Sequence, residues 1–155
     1  MRKTLKIIVI LLVIAFVAVQ FYRPNKINPP IVEAEILQAT TQVPENVNQI
    51  LVRSCNDCHS NKTTYPWYSN ISPFSWLLAE HIEEGRRELN FSVWNTYSAK
   101  KKRNKLDEVC EQVTSDAMPH KQYLWIHRDA LLSAEDKKNL CDWAETEKAK
   151  IEELS

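Results

Sequence analysis

Pro44 to His59 reads PENVNQILVRSCNDCH, and its spacing decides the fold. Val47, Ile50, Leu51, Val52, Cys55 and Cys58 recur at three- and four-residue steps, the period of a helix with one apolar face. Pro44 suits a first helical turn, where its missing N–H costs nothing. The spacing predicts a helix that ends in Cys55-x-x-Cys58-His59. Three chemistries use such a triplet: zinc ligation, thiol–disulfide exchange and covalent haem attachment.

The segments on either side predict further helices. The run NKTTYPWYSNISP, residues 61–73, is a loop of turn formers and aromatics. Ser72 and Pro73 open a second helix, with Phe74, Leu77, Leu78, His81, Ile82 and Leu89 as its apolar stripe. NFSVW, residues 90–94, interrupts it. A third helix covers Ala99–Thr114, with Leu106, Val109, Cys110 and Val113 on one face. The loop SDAMPHKQYLW, residues 115–125, follows and carries Met118-Pro119. A last helix begins at Ser133, where Asp136 supplies a capping-box-like start. Its apolar stripe is Leu140, Trp143, Ala144 and Ile151. No segment alternates with period two, so the expected fold class is all-α.

Composition excludes several functions. Gly85 is the single glycine in 155 residues, which removes the glycine-rich phosphate loops and tight β-hairpins. Net charge is zero, but the first 26 residues hold five basic residues and no acid, leaving 15 basic against 20 acidic beyond. A main domain of that sign is a poor nucleic-acid binder, and none is expected as partner. The basic run Lys100–Arg103 reads first as a solvated face and second as a docking patch for an acidic redox partner.

The N-terminus, MRKTLKIIVILLVIAFVAVQFY, has a basic head and an unbroken apolar run from Ile7 to Val19. No good small-x-small cleavage site follows. The expected organisation is a cytoplasmic head (1–4), a transmembrane signal anchor (5–22), an extended proline-bearing tether (23–43) and a main domain (44–155). That arrangement places the chain in a bacterial inner membrane, single-pass, with the main domain in the periplasm.

The chain chooses among the three chemistries. Cys110 and Cys141 lie 31 apart and form no second zinc-binding pair. A thioredoxin-like motif stands at a helix start after a strand, not at a helix end. Haem attachment requires C-x-x-C-H, which a shuffled chain of this composition holds about two times in a thousand. Cys55 and Cys58 are then the covalent thioether positions and His59 the proximal iron ligand. Met118, the one methionine besides Met1, is the expected distal ligand; His81, inside an apolar stripe, is its rival. His120 and His127 read as surface or hydrogen-bonding residues. Cys110 and Cys141 are expected to form a disulfide between two helices.

CNDCHSNKTTYPWYSNISPFSWLLAEHIEEGRRELNFSVW, with MPHKQYLWIHRDALLSAEDKKNLCDW downstream, resembles the bacterial haem-binding domain family related to c-type cytochromes. The resemblance spans residues 27–147; its W-Y-S-N-x-S-P and N-F-S-x-W runs are the specific part. It implies a membrane-tethered, mostly helical domain with one covalent haem c, which makes the fold cytochrome c-like. Leu140-Cys141-Asp142-Trp143 resembles the L-x-x-aromatic step in the last helix of small cytochromes c. The glycine usual in their first helix is absent. Pro66 and Pro73 are candidates for the proline whose carbonyl orients the haem histidine. The expected function is electron transfer or redox sensing with an unidentified redox partner protein, without enzymatic activity. Two alternatives remain: a haem-based gas sensor or peroxidase-like enzyme with an open or His-ligated sixth position, and a zinc-binding structural domain.

Overall fold

A computed structural model describes residues 2–153. All regular structure among them is helical: α1 (Arg2–Val19), α2 (Leu37–Thr40), α3 (Glu45–Ser54), α4 (Asn56–His59), α5 (Phe74–Glu88), α6 (Ala99–Thr114), α7 (Lys121–Leu124) and α8 (Ala134–Glu153). Short 3-10 turns cover Trp67–Asn70, Phe91–Thr96 and Arg128–Ala130. The all-α expectation holds.

The expected helix over 44–59 is two helices, because the chain bends at Cys55, whose φ is −126°. Val47, Ile50 and Leu51 of α3 are buried, each contributing about 1.5–3 kcal/mol relative to exposure. They meet Leu106 and Val113 of α6 and Leu140 and Trp143 of α8 in one core. Two buried indoles satisfy their N–H groups on the strand of chain before α3: Trp94 Nε1 donates to Thr41 Oγ1 (3.2 Å) and Trp143 Nε1 to Gln42 O (3.2 Å). The core reaches upstream of Pro44, since Leu37 is fully buried. The polar chain before it is held too, with Asn28 bonded to Thr63 O and Arg86, and Asn95 bonded to Ala34 O and Ile36 O.

The stripe expected on α5 is rotated. Ser75, Ile82 and Gly85 face inward, whereas Phe74 and Leu77 are exposed. The expected serine cap is absent: Pro73 stands at the cap position and Ser72 Oγ pairs with Ser75 Oγ (3.0 Å). The basic run of α6 is partly spent on packing, with Lys101 over the Tyr97 ring (3.8 Å) and Lys102 over Trp94 (5.8 Å).

The N-terminal expectation is corrected. α1 buries no residue and carries Arg2, Lys3 and Lys6 in its opening turns. Its uncharged run Ile7–Val19 is 13 residues, which at 1.5 Å per residue is about 20 Å against a hydrocarbon core of about 30 Å. Among the described residues no helix is long and apolar enough to cross a membrane. The transmembrane anchor over 5–22 is therefore overturned, and with it the inner-membrane, periplasmic placement. α1 instead ends at a polar clasp: the Gln20 side-chain amide exchanges two bonds with the Ser72 backbone (3.0 and 2.9 Å), and Trp76 Nε1 donates to Tyr22 O (2.9 Å).

The start of α8 has the expected capping box. Asp136 Oδ2 accepts from Ser133 N and Oγ (both 2.9 Å), and Asp136 N donates back to Ser133 Oγ (3.0 Å). Arg53 at the end of α3 adds an ion pair to the same oxygen at 3.0 Å. Burial alone would raise the Asp136 pKa; the Ser133 bonds and the Arg53 charge outweigh it and hold the carboxyl below its usual range. The folded value being the lower one, this stabilisation is present above the unfolded carboxylate range and disappears as pH falls through the folded value. Asp136→Ala is expected to cost about 1 kcal/mol at neutral pH. Thermal melts against pH check this: variant and parent should converge in acid.

Candidate functional site

Cys55, Cys58 and His59 stand where α3, α4 and α5 meet. The turn closes by backbone bonds from Cys58 N (3.2 Å) and His59 N (2.9 Å) to Cys55 O. Helix α5 lies against it at Gly85, where an added Cβ would sit 2.7 Å from the Cys58 carbonyl oxygen. Only a residue without a side chain permits that approach.

The approach positions His59. Its Nδ1 lies 3.0 Å from both Gly85 O and Leu89 O. Carbonyl oxygens only accept, so Nδ1 carries the hydrogen and Nε2 is left with its lone pair. Burial lowers the His59 pKa, against the raising pull of the Leu89 and Gly85 bonds, and His120 and Lys105 lower it further. The ring is thus a neutral imidazole with Nε2 available to a metal. Neither Pro66 nor Pro73 supplies the orienting carbonyl; the last turn of α5 does.

Two cavities of about 310 Å³ each share a wall of Ser54, Cys55, His59, Glu88, Met118 and Pro119. The first is apolar, walled by Leu51, Leu89, Phe91, Val109, Val113 and Leu132. Lys105 reaches it with a side chain only 13% exposed, paired with Glu108 and Glu88 (3.6 Å). Burial opposes the Lys105 charge, but its bond to Glu108 and the charges of Glu108 and Glu88 hold the ammonium above its usual pKa. The second cavity holds Cys58, Tyr123, His81 and His120.

Met118 is placed by the end of α6. Asp116 adopts φ 58°, Ala117 N donates to Gln112 O (3.0 Å) and Asp116 N to Val113 O (3.4 Å). This is a Schellman turn with aspartate at the left-handed position that glycine usually fills. Met118 N also reaches Gln112 O (3.1 Å), which sets its half-buried side chain on the wall of both cavities. His81 stacks on His120 at 4.9 Å and lies on the second cavity alone. His127 bonds Tyr68.

The thiols are protonated at neutral pH. Burial, then the charge of Cys58, pushes Cys55 up to about 12. Burial, then Asp57, pushes Cys58 up to about 11, against Arg86. Thiol–disulfide exchange needs the opposite shift. Cys55 and Cys58 are unpaired, while Cys110 and Cys141 are joined, with Cα atoms 4.9 Å apart. Among the described residues no group of three or more His, Cys, Asp or Glu could hold a metal ion.

Three contributors escaped sequence reading: Gly85, the Leu89 carbonyl and Lys105. Gly85 alone left a signal, because an interior helical glycine costs about 1 kcal/mol and implies a close neighbour. Two thiols, an imidazole with Nε2 open, and apolar walls with the half-buried Lys105 cation suit a planar, largely apolar cofactor that bears carboxylates and a metal. No curated protein and no solved structure matches the chain. A comparison with known families matches residues 14–146 to the family described as "Haem-binding domain". The match covers most of the chain and agrees with the chemistry of this donor set, and the protein belongs to the haem-binding domain family.

Proposed function

We propose that the chain holds one haem c covalently and carries electrons to or from a redox partner protein, rather than catalysing a reaction of its own. The observation that carries this is His59, pinned through Nδ1 by two carbonyls with Nε2 left for iron, on a wall it shares with Cys55 and Met118. The haem supplies an iron that cycles between ferric and ferrous.

The chain does the rest. Cys55 and Cys58 would hold the haem, each by addition of its thiol S–H across a vinyl group, with a C–S bond formed and the hydrogen placed on the neighbouring carbon. His59 Nε2 and the Met118 sulfur would ligate the iron; the place of Met118 on both cavities, against the one held by His81, favours it. Lys105, paired with Glu108 and Glu88, would offer a cation to the haem carboxylates. The apolar walls, with the thioether sulfur as an iron ligand, would favour a raised reduction potential.

Absorption spectra of the haem-loaded protein test the ligand assignment. The weak red-edge band of a ferric iron–methionine bond is expected in the parent and in His81→Ala, and its loss in Met118→Ala. A band that survives Met118→Ala sinks the assignment.

A further inference from the structure

Four rings lead from the second cavity to the surface. Tyr123 lines the cavity and donates its phenol to Asp57 Oδ2 at 2.9 Å. Its ring stacks on His127, with centroids 4.1 Å apart and planes 7° apart. His127 Nε2 lies 2.8 Å from the Tyr68 hydroxyl. Trp67, 71% exposed, packs edge-on against Tyr68 at 5.8 Å.

Tyr68 is 8% exposed, and His127 Nε2 is the partner its hydroxyl has among the described residues. A buried O–H requires an acceptor, so the phenol donates and Nε2 accepts. This matters for redox chemistry. A phenol that loses an electron becomes a strong acid, and without a base in place the electron cannot leave at moderate potential. An imidazole is by its chemistry a better base than a carboxylate, and Tyr123 has the Asp57 carboxylate in that place. Burial, with the charge of Asp57 behind it, raises the Tyr68 pKa, which disfavours loss of the proton before the electron.

We propose that Tyr68 is a redox-active tyrosine. A high-potential one-electron metal oxidant removes one electron from its ring as the phenolic proton moves to His127 Nε2. The products are the reduced oxidant, a neutral tyrosyl radical and an imidazolium; return of one electron and that proton restores the phenol. Tyr123 places the pair beside the cavity and Trp67 opens it to the surface. The site lies outside the haem ligands and its test does not need haem.

The experiment uses the full chain carrying Cys55→Ser and Cys58→Ser, which removes thiols as competing reductants, and photogenerated tris(bipyridyl)ruthenium(III) as oxidant. The neutral tyrosyl radical is read by electron paramagnetic resonance and transient absorption. It is expected in this chain, formed more slowly in deuterium oxide, and lost when Tyr68→Phe is added. Adding His127→Phe is expected to slow its formation by about 100-fold, the low end of what a positioned base contributes. An undiminished radical yield with Tyr68→Phe, or an unchanged rate with His127→Phe, overturns the proposal. Should His127→Phe fail to fold, the isotope effect decides alone: equal rates in the two waters overturn it.

Discussion

Gly85→Ala is expected to destabilise the protein and loosen its grip on haem, although alanine is the better helix former. In an open helix interior the exchange gains about 1 kcal/mol. Here the new Cβ would lie 2.7 Å from the Cys58 carbonyl oxygen and 3.1 Å from its carbon. Both are backbone atoms, so no side chain can turn aside. Overpacking of this kind costs about 1–3 kcal/mol, and α5 must retreat from α4 to relieve it. The retreat carries Gly85 O and Leu89 O away from His59 Nδ1, now 3.0 Å from each. Loss of such outer partners typically costs about 10–100-fold in metal affinity. Urea midpoints and haem titration measure the two effects. A gain in stability of about 1 kcal/mol would show that the close approach constrains nothing.

The second large effect belongs to the bridge between α6 and α8. Cys110–Cys141 spans 31 residues; both cysteines are half-buried, and Cys141 packs against the core. The chain-entropy account gives about 3–4 kcal/mol for a loop of that size. Cys110→Ala/Cys141→Ala is expected to lose that much in denaturant unfolding while leaving the His59 Nδ1 contacts with Gly85 O and Leu89 O in place, because α4 and α5 lie outside the loop. Reduction of the parent should reproduce the loss. A parent indifferent to reductant would contradict the account.

The helical class was legible because apolar positions in α3, α6 and α8 keep three- and four-residue steps and turn inward, except Val52 of the expected α3 face, which is 58% exposed. The α8 cap was legible because Ser133 and Asp136 form a local pattern that no distant contact has to complete. The family was legible in Cys55-x-x-Cys58-His59 with its aromatic runs. What failed depended on neighbours distant in sequence. Phe74 and Leu77 fit the period of a buried stripe, yet α5 turns Gly85 toward Cys58 and leaves them outside. The orienting carbonyls belong to residues 26 and 30 positions beyond His59, and a backbone oxygen has no signature in sequence. The apolar N-terminus misled for another reason: its length was counted across Lys6, and the charged opening turns leave too short an apolar run.

The central claim is that Cys55 and Cys58 hold haem through carbon–sulfur bonds while His59 holds its iron. Intact mass after acid–acetone extraction, on chain matured with a c-type haem attachment system, tests it most directly. The parent should keep the mass of one haem, and Cys55→Ala/Cys58→Ala should shed it. A parent that emerges at the mass of the bare chain, or a double variant that keeps its haem through extraction, would contradict the account.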